Sequence, residues 1–189
     1  KSAMSTIDNG KLRSTTDILT MNGWPNASLV ASALNFLHRF DHNQVLGFHK
    51  KMPNAAIIPA VKSMANKVDI NWLSKTVYKT SLNTRLKRSD LFCAFYLIAV
   101  KYGEDCLIEF SDKMNNGGDY SKSPTMVMTQ IVARMQAQGR VPHRAYYFTM
   151  LLRGFDRWLN DEEMNQYREK SVVADIQKYS KKYNTYINW

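Results

Sequence analysis

Four sets of side chains in this 189-residue chain have the types and spacing to do chemistry. The first is a run of bases. Lys50, Lys51, Lys62, Lys67, Lys75, Lys79, Arg85, Lys87 and Arg88 all fall between His42 and Arg88, against one acid, Asp69. That span holds +8 of the chain's formal +10, so the other 142 residues together carry only +2. Cationic groups gathered along one stretch neutralise closely spaced phosphates and release the counterions condensed on a polyanion. Arg85, Lys87 and Arg88 stand next to a helix start, where backbone N–H groups add to a phosphate site. The interleaved Trp72 and Tyr78 offer rings that stack on exposed bases. The plain alternative is a solvated helix face whose acids lie elsewhere.

The second set is His38, Asp41 and His42, with His49 nearby. Residues four apart share a helix face, and these are metal-ligating types. No further ligand is in range, so no metal is expected. The third set, Asp105, Glu109 and Asp112, aligns three carboxylates at i, i+4 and i+7. A metal-dependent nuclease needs convergent carboxylates with a base and a pocket, and one stripe on one helix reads as a solvent face. The fourth set is Cys93, in the apolar run LFCAFYLIAV, and Cys106, after Glu104-Asp105. Both read as reduced thiols of an intracellular protein. Nucleophile elbows and phosphate-cradling glycine loops are missing, and Gly117-Gly118 is an isolated pair. The chain is therefore expected to bind and not to catalyse, without cofactor or metal. A metal-dependent nuclease using Asp105 is the enzyme alternative.

The elements that position these groups read as helices throughout. Gly (8) and Pro (5) are scarce, and apolar residues recur at helical spacing. Ser14 and Asp17 form a capping box for a short helix closing at Gly23, and Ala27 to Phe40 carries Leu29, Val30, Ala33, Leu34 and Leu37 on one stripe. Asn43 to Lys51 and Asn54 to Asn66 read as two helices, the second kinked by Pro59 unless that residue sits in the first turn. Asn71 to Tyr78 is a weaker helix and Thr80 to Lys87 a connection. Asp69 to Arg88 also has the length of a helix-turn-helix but lacks the usual small turn residue. Ser89 is placed to cap a helix to Tyr102 that is apolar nearly all round, hence central. Glu104 to Met114 follows, then the loop NNGGDYSKS. Ser123-Pro124 opens a helix to Gln138, Pro142 opens another through Leu159, Asp161 to Lys182 reads as a charged helix and Asn184 to Trp189 as a tail. The fold class is all-α, a compact domain of about seven to nine helices. Residues 1–160 form its body, and 161–189 form a C-terminal helix and tail packed on it. The ten methionines, among them Met126, Met128 and Met135, read as core fillers.

No apolar run approaches the roughly 20 residues of a membrane span, and no signal-peptide core opens the chain. It begins at Lys1 and not at a methionine, which points to a fragment or a processed product.

Three stretches carry a resemblance: TIDNGKLRSTTDIL (Thr6 to Leu19), then MNG, then NASLVASALN (Asn26 to Asn35). They resemble phage- and plasmid-encoded proteins in which a ParB-like (sulfiredoxin-fold) N-terminal domain precedes a helical C-terminal region. A T-[IV]-D-x-G-x-x-R-[ST]-x-x-D-x-L stretch joins the two parts in that family. LRGFDRW (Leu152 to Trp158) stands loosely where the family closes its helical region, and Ser123-Pro124 where it often has a G-D-P helix start. The resemblance covers most of residues 5–160. The family's D-G-Q-H-R motif is absent, so the chemistry of its ParB-like half does not carry over. What the resemblance implies is the helical partner domain, contributing DNA contacts or self-association in the cytoplasm of a bacterial host.

Together these readings predict a phage-type DNA-binding domain that contacts the phosphate backbone through the Lys50–Arg88 region. The expected partner is nucleic acid, DNA before RNA, and not a membrane, with homo-oligomerisation left open. The alternative is an oligomerisation or docking module using the aromatic segments Tyr147 to Trp158 and Tyr179 to Trp189.

Overall fold

Asp90 to Ala99 are all buried, ten consecutive residues, and the architecture follows from them. A helix that is apolar on every side has to be enclosed by other helices. The computed structural model describes residues 13–41, 51–117, 120–187 and 189. In it the enclosed helix is α5 (Arg88–Tyr102), fifth of nine: α1 (Thr15–Met21), α2 (Ala27–Asp41), α3 (Asn54–Lys67), α4 (Ile70–Thr84), α6 (Glu104–Asn115), α7 (Pro124–Ala137), α8 (Arg144–Leu159) and α9 (Val172–Ile187) complete the set. The described residues contain no strand, so the chain is all-α. α2, α4, α6, α8 and α9 surround α5, α1 and α3 pack on α2, and α7 packs on α6 and α8.

Local chemistry sets the helix starts. The Ser14 hydroxyl accepts from Asp17 N while the Asp17 carboxylate accepts from Ser14 N, which closes the capping box at α1. Ser123 caps α7 with Pro124 in the first turn. Asp69, the single acid of the basic span, accepts from the backbone N–H groups of Asn71 (2.9 Å) and Trp72 (3.2 Å) at the start of α4.

Several boundaries differ from the sequence reading. Residues 80–84 belong to α4, and only Arg85–Lys87 connect it to α5. The stretch looked polar, but Thr80 and Thr84 continue the buried stripe of Ile70, Leu73 and Val77. The Thr84 hydroxyl is satisfied by the carbonyl of Thr80 (2.7 Å), and that of Ser81 by Tyr78 (2.8 Å). Arg85, at φ +59°, ends the helix in the left-handed region. Residues 69–88 thus hold one continuous helix and a short turn, and no helix-turn-helix lies within them.

The cap of α5 is Lys87, with Ser89 inside the first turn, and α3 runs through Pro59 beyond its own first turn. His143 caps α8, one residue past Pro142. The expected helix from Asp161 is an irregular strap followed by a 3-10 turn, Glu169–Ser171. Side chains hold the strap open. Tyr146 Oη donates to the Tyr167 carbonyl (3.1 Å), and the Tyr167 and Thr149 hydroxyls lie 2.6 Å apart. The tail is helical to Ile187, and Trp189 stacks on Tyr96 with centroids 6.3 Å apart. Most of the helix expected over Asn43 to Lys51 lies outside the described residues, and Lys51 itself is not helical.

Candidate nucleic-acid interface

A helix that buries one stripe exposes the opposite one, and on α4 that outer surface is basic. Lys75, Tyr78, Lys79 and Leu82 are exposed there, with Tyr78 50% and Leu82 62% accessible. Lys75 and Lys79 are one turn, about 6 Å, apart along the axis. The chain then turns at Arg85 and re-enters as α5 at Arg88, so Arg85, Lys87 and Arg88, all exposed, extend the basic surface around the corner. From Ile70 to Ser89 there are five bases and no acid.

The lack of acids holds in space as well. Among the described residues, Lys75, Lys79, Arg85, Lys87 and Arg88 form no ion pair, whereas seven bases elsewhere do. Arg144 pairs with Asp90, Arg153 with Asp175, Arg157 with Glu162, Arg140 with Glu169, and Lys178 and Lys182 with Asp156. Charge left without a local partner is the condition for attracting a distant one.

Beside this surface lies a groove of about 560 Å³ between three helix segments. Its long wall is one stripe of α4, with Asn71, Ser74, Lys75 and Tyr78 at i, i+3, i+4 and i+7. The opposite wall is the start of α2, residues 26–29, and Arg88 closes one end. The Arg88 guanidinium stacks over the Tyr78 ring at 4.5 Å, and its Nε reaches Ser81 Oγ at 3.4 Å. Asn26, at φ +53°, turns the chain so that its carbonyl accepts from Val30 N (3.0 Å). The first-turn N–H groups of α2, whose residues line the groove, then have no intrahelical acceptor.

Behind the groove, an internal ion pair fixes its walls. Asp90, in the first turn of α5, is 0% exposed, and Arg144 Nε donates to its Oδ1 at 2.7 Å. The same guanidinium donates to Ser32 Oγ of α2 (3.1 Å) and lies over the Phe36 ring (4.3 Å). α2 and α5, which supply the groove's wall and end, are thereby joined through α8. Burial pushes the Asp90 carboxyl up to about 6 against the pull of Arg144. Burial likewise pushes the Cys93 thiol up to about 12, so this thiol is inert.

The nine predicted contact residues are not all brought together. Lys75 and Arg88 line the groove, and Lys79, Arg85 and Lys87 flank it on α4 and the following turn. Lys62 is exposed on α3, which packs on α1 and α2. The Lys67 ammonium donates to the Tyr186 carbonyl (3.3 Å). Lys51 sits beside Arg13 in a separate hollow at the start of α3. Lys50 lies outside the described residues. Trp72 is partly buried against the core, and only Tyr78 keeps an accessible ring on this surface.

The other candidate sets stay apart from the groove. Asp105, Glu109 and Asp112 are exposed on α6, the helix packed beside α4. His42 and His49 are outside the described residues, within which no group of three metal-ligating side chains converges. No described helix is long and apolar enough to cross a membrane. The aromatic rings of the supposed docking segments are largely internal: Phe148, Phe155, Tyr179 and Tyr183 are all 0% exposed.

Sequence reasoning missed Ser74, the start of α2 and the Asp90–Arg144 pair. Asn26 before an apolar stripe was a legible helix-start signal; nothing local showed that this start would face α4. No protein-family model matches the chain, and comparison with curated proteins and with solved structures gives no match either.

Proposed function

We propose that the corner formed by α4 and the start of α5 binds the phosphate backbone of nucleic acid, DNA in the first instance. The observation that carries this reading is the run of five exposed bases, none with an ion-pair partner within the described residues and with no acid among them from Ile70 to Ser89. Solubility alone needs no such segregation. Backbone contact also fits the side-chain inventory: Lys and Arg are present, and no helix-turn-helix lies within residues 69–88. We also propose that the chain belongs to the helical part of ParB-like phage and plasmid proteins, on the resemblance carried by Thr6 to Leu19 and Asn26 to Asn35.

The test is fluorescence anisotropy on labelled duplex and single-stranded DNA and on RNA at two salt concentrations. Reversing the charges of Lys75, Arg85, Lys87 and Arg88 together is expected to weaken binding and flatten its salt dependence. Unchanged affinity at both salt concentrations would overturn the proposal.

A further inference from the structure

The groove beside α4 contains more than a backbone contact requires. Its floor includes Ser74, which is 7% exposed and whose hydroxyl has no hydrogen-bond partner. A buried hydroxyl in that condition is destabilising unless something completes its bond. Around it converge the Lys75 ammonium, the Arg88 guanidinium and the start of α2, with no acid in the lining. Helix starts favour anions through their free N–H groups and their dipole. Two cations and a helix start oversupply the single charge of a phosphodiester, but they match a phosphate monoester, which carries up to two. The volume, about 560 Å³, lies in the range of small-ligand pockets and leaves room for a nucleoside behind the phosphate. Tyr78, its ring fixed by Arg88 at 4.5 Å, supplies a flat surface at the same end.

From this geometry we infer that the groove is a binding site for a terminal phosphate monoester with its attached nucleoside. Arg88, Lys75 and the α2 N–H groups hold the phosphate, the buried Ser74 side chain rotates to donate its hydroxyl hydrogen, and the base lies along Tyr78. The ligand is either a strand end or a mononucleotide; the phosphate chemistry is shared. The assignment deepens the backbone-binding reading, since a strand seated on α4 would present its end here.

The test compares one short single-stranded oligonucleotide with a 5′-phosphate and with a 5′-hydroxyl, together with calorimetry on a nucleoside 5′-monophosphate. The expected result is at least a tenfold preference for the phosphorylated end. Ser74→Ala and Arg88→Gln should each lower that ratio about fivefold or more, while Lys79→Gln weakens both oligonucleotides together and leaves the ratio unchanged. Thermal melting of Ser74→Ala controls for folding, and losing an unpartnered hydroxyl should leave its midpoint equal or higher. Equal affinity for the two ends overturns the groove assignment and spares the backbone reading, as does a ratio insensitive to Ser74 and Arg88. If neither oligonucleotide binds, the backbone reading fails. The groove assignment then stands if the mononucleotide binds in a Ser74- and Arg88-dependent way, and falls if it does not.

Discussion

Arg144 Nε lies 2.7 Å from Asp90 Oδ1, and through this contact α8 clamps the helices that form the groove's wall and end. The pair is almost dry: the Asp90 side chain is 0% exposed and that of Arg144 is 22% exposed. Arg144 reaches α2 at Ser32 as well, so one guanidinium sets the spacing of two helix starts. Charge on the surface is thus organised by charge in the interior.

Breaking that pair is the first prediction. Arg144→Met leaves a buried carboxylate without its partner, which costs about 3–5 kcal/mol. Urea unfolding of the variant should show a midpoint far below wild type, with part of the loss restored in Arg144→Met/Asp90→Asn. A loss below about 1 kcal/mol would show that the pair does not brace the fold.

Asp90 also gives the stability a pH dependence of known sign. Its carboxyl is raised from the ordinary 3.8 to about 6, chiefly by burial, with Arg144 and Lys87 pulling the other way. An acid raised in the folded state contributes stability that is fully present below 3.8 and is lost as pH rises through about 6. Melting temperatures measured from pH 4 to 7 should therefore decline with pH more steeply in wild type than in Asp90→Asn. Parallel profiles would rule out this site as the source.

Gly154 of α8 packs directly against Met128 of α7. A Cβ added there lands on the Met128 thioether, itself 0% exposed. Overpacking by Gly154→Ala, about 1–3 kcal/mol, is offset by about 1 kcal/mol of helix propensity, so a net loss of up to about 2 kcal/mol is expected. In a Met128→Ala background the same substitution should instead stabilise by up to about 1 kcal/mol, because the obstructing atoms are gone. A double-mutant cycle by urea unfolding checks this, and additive losses would exclude the contact.

How much of this was readable in advance depended on whether the signal was local. The Ser14/Asp17 box, the Ser123-Pro124 start and the all-round apolarity of residues 91–99 are local, and the structure places them as expected. Thr80 and Thr84 misled because both extend the buried stripe of α4, the Thr84 hydroxyl bonding to the helix's own Thr80 carbonyl, which propensity alone does not reveal. The segment after Asp161 misled in the opposite direction: its helical composition is overridden by Tyr146, Thr149 and Tyr167 holding it extended. The basic segment was visible as composition, but only tertiary packing separates Lys75, Lys79, Arg85, Lys87 and Arg88 from Lys51, Lys62 and Lys67. Ser74 joins the site solely because α2 begins opposite it.

The central claim is that the α4–α5 corner, and not the molecule's general basicity, binds phosphate. The direct test is the slope of log affinity against log salt for duplex DNA in a series of single Lys→Gln variants. Lys75→Gln, Lys79→Gln and Lys87→Gln should each reduce the slope by about 1, one phosphate contact apiece. Lys62→Gln and Lys181→Gln, exposed on α3 and α9, should leave it unchanged. A slope that falls equally in all five variants, or in none, contradicts the account.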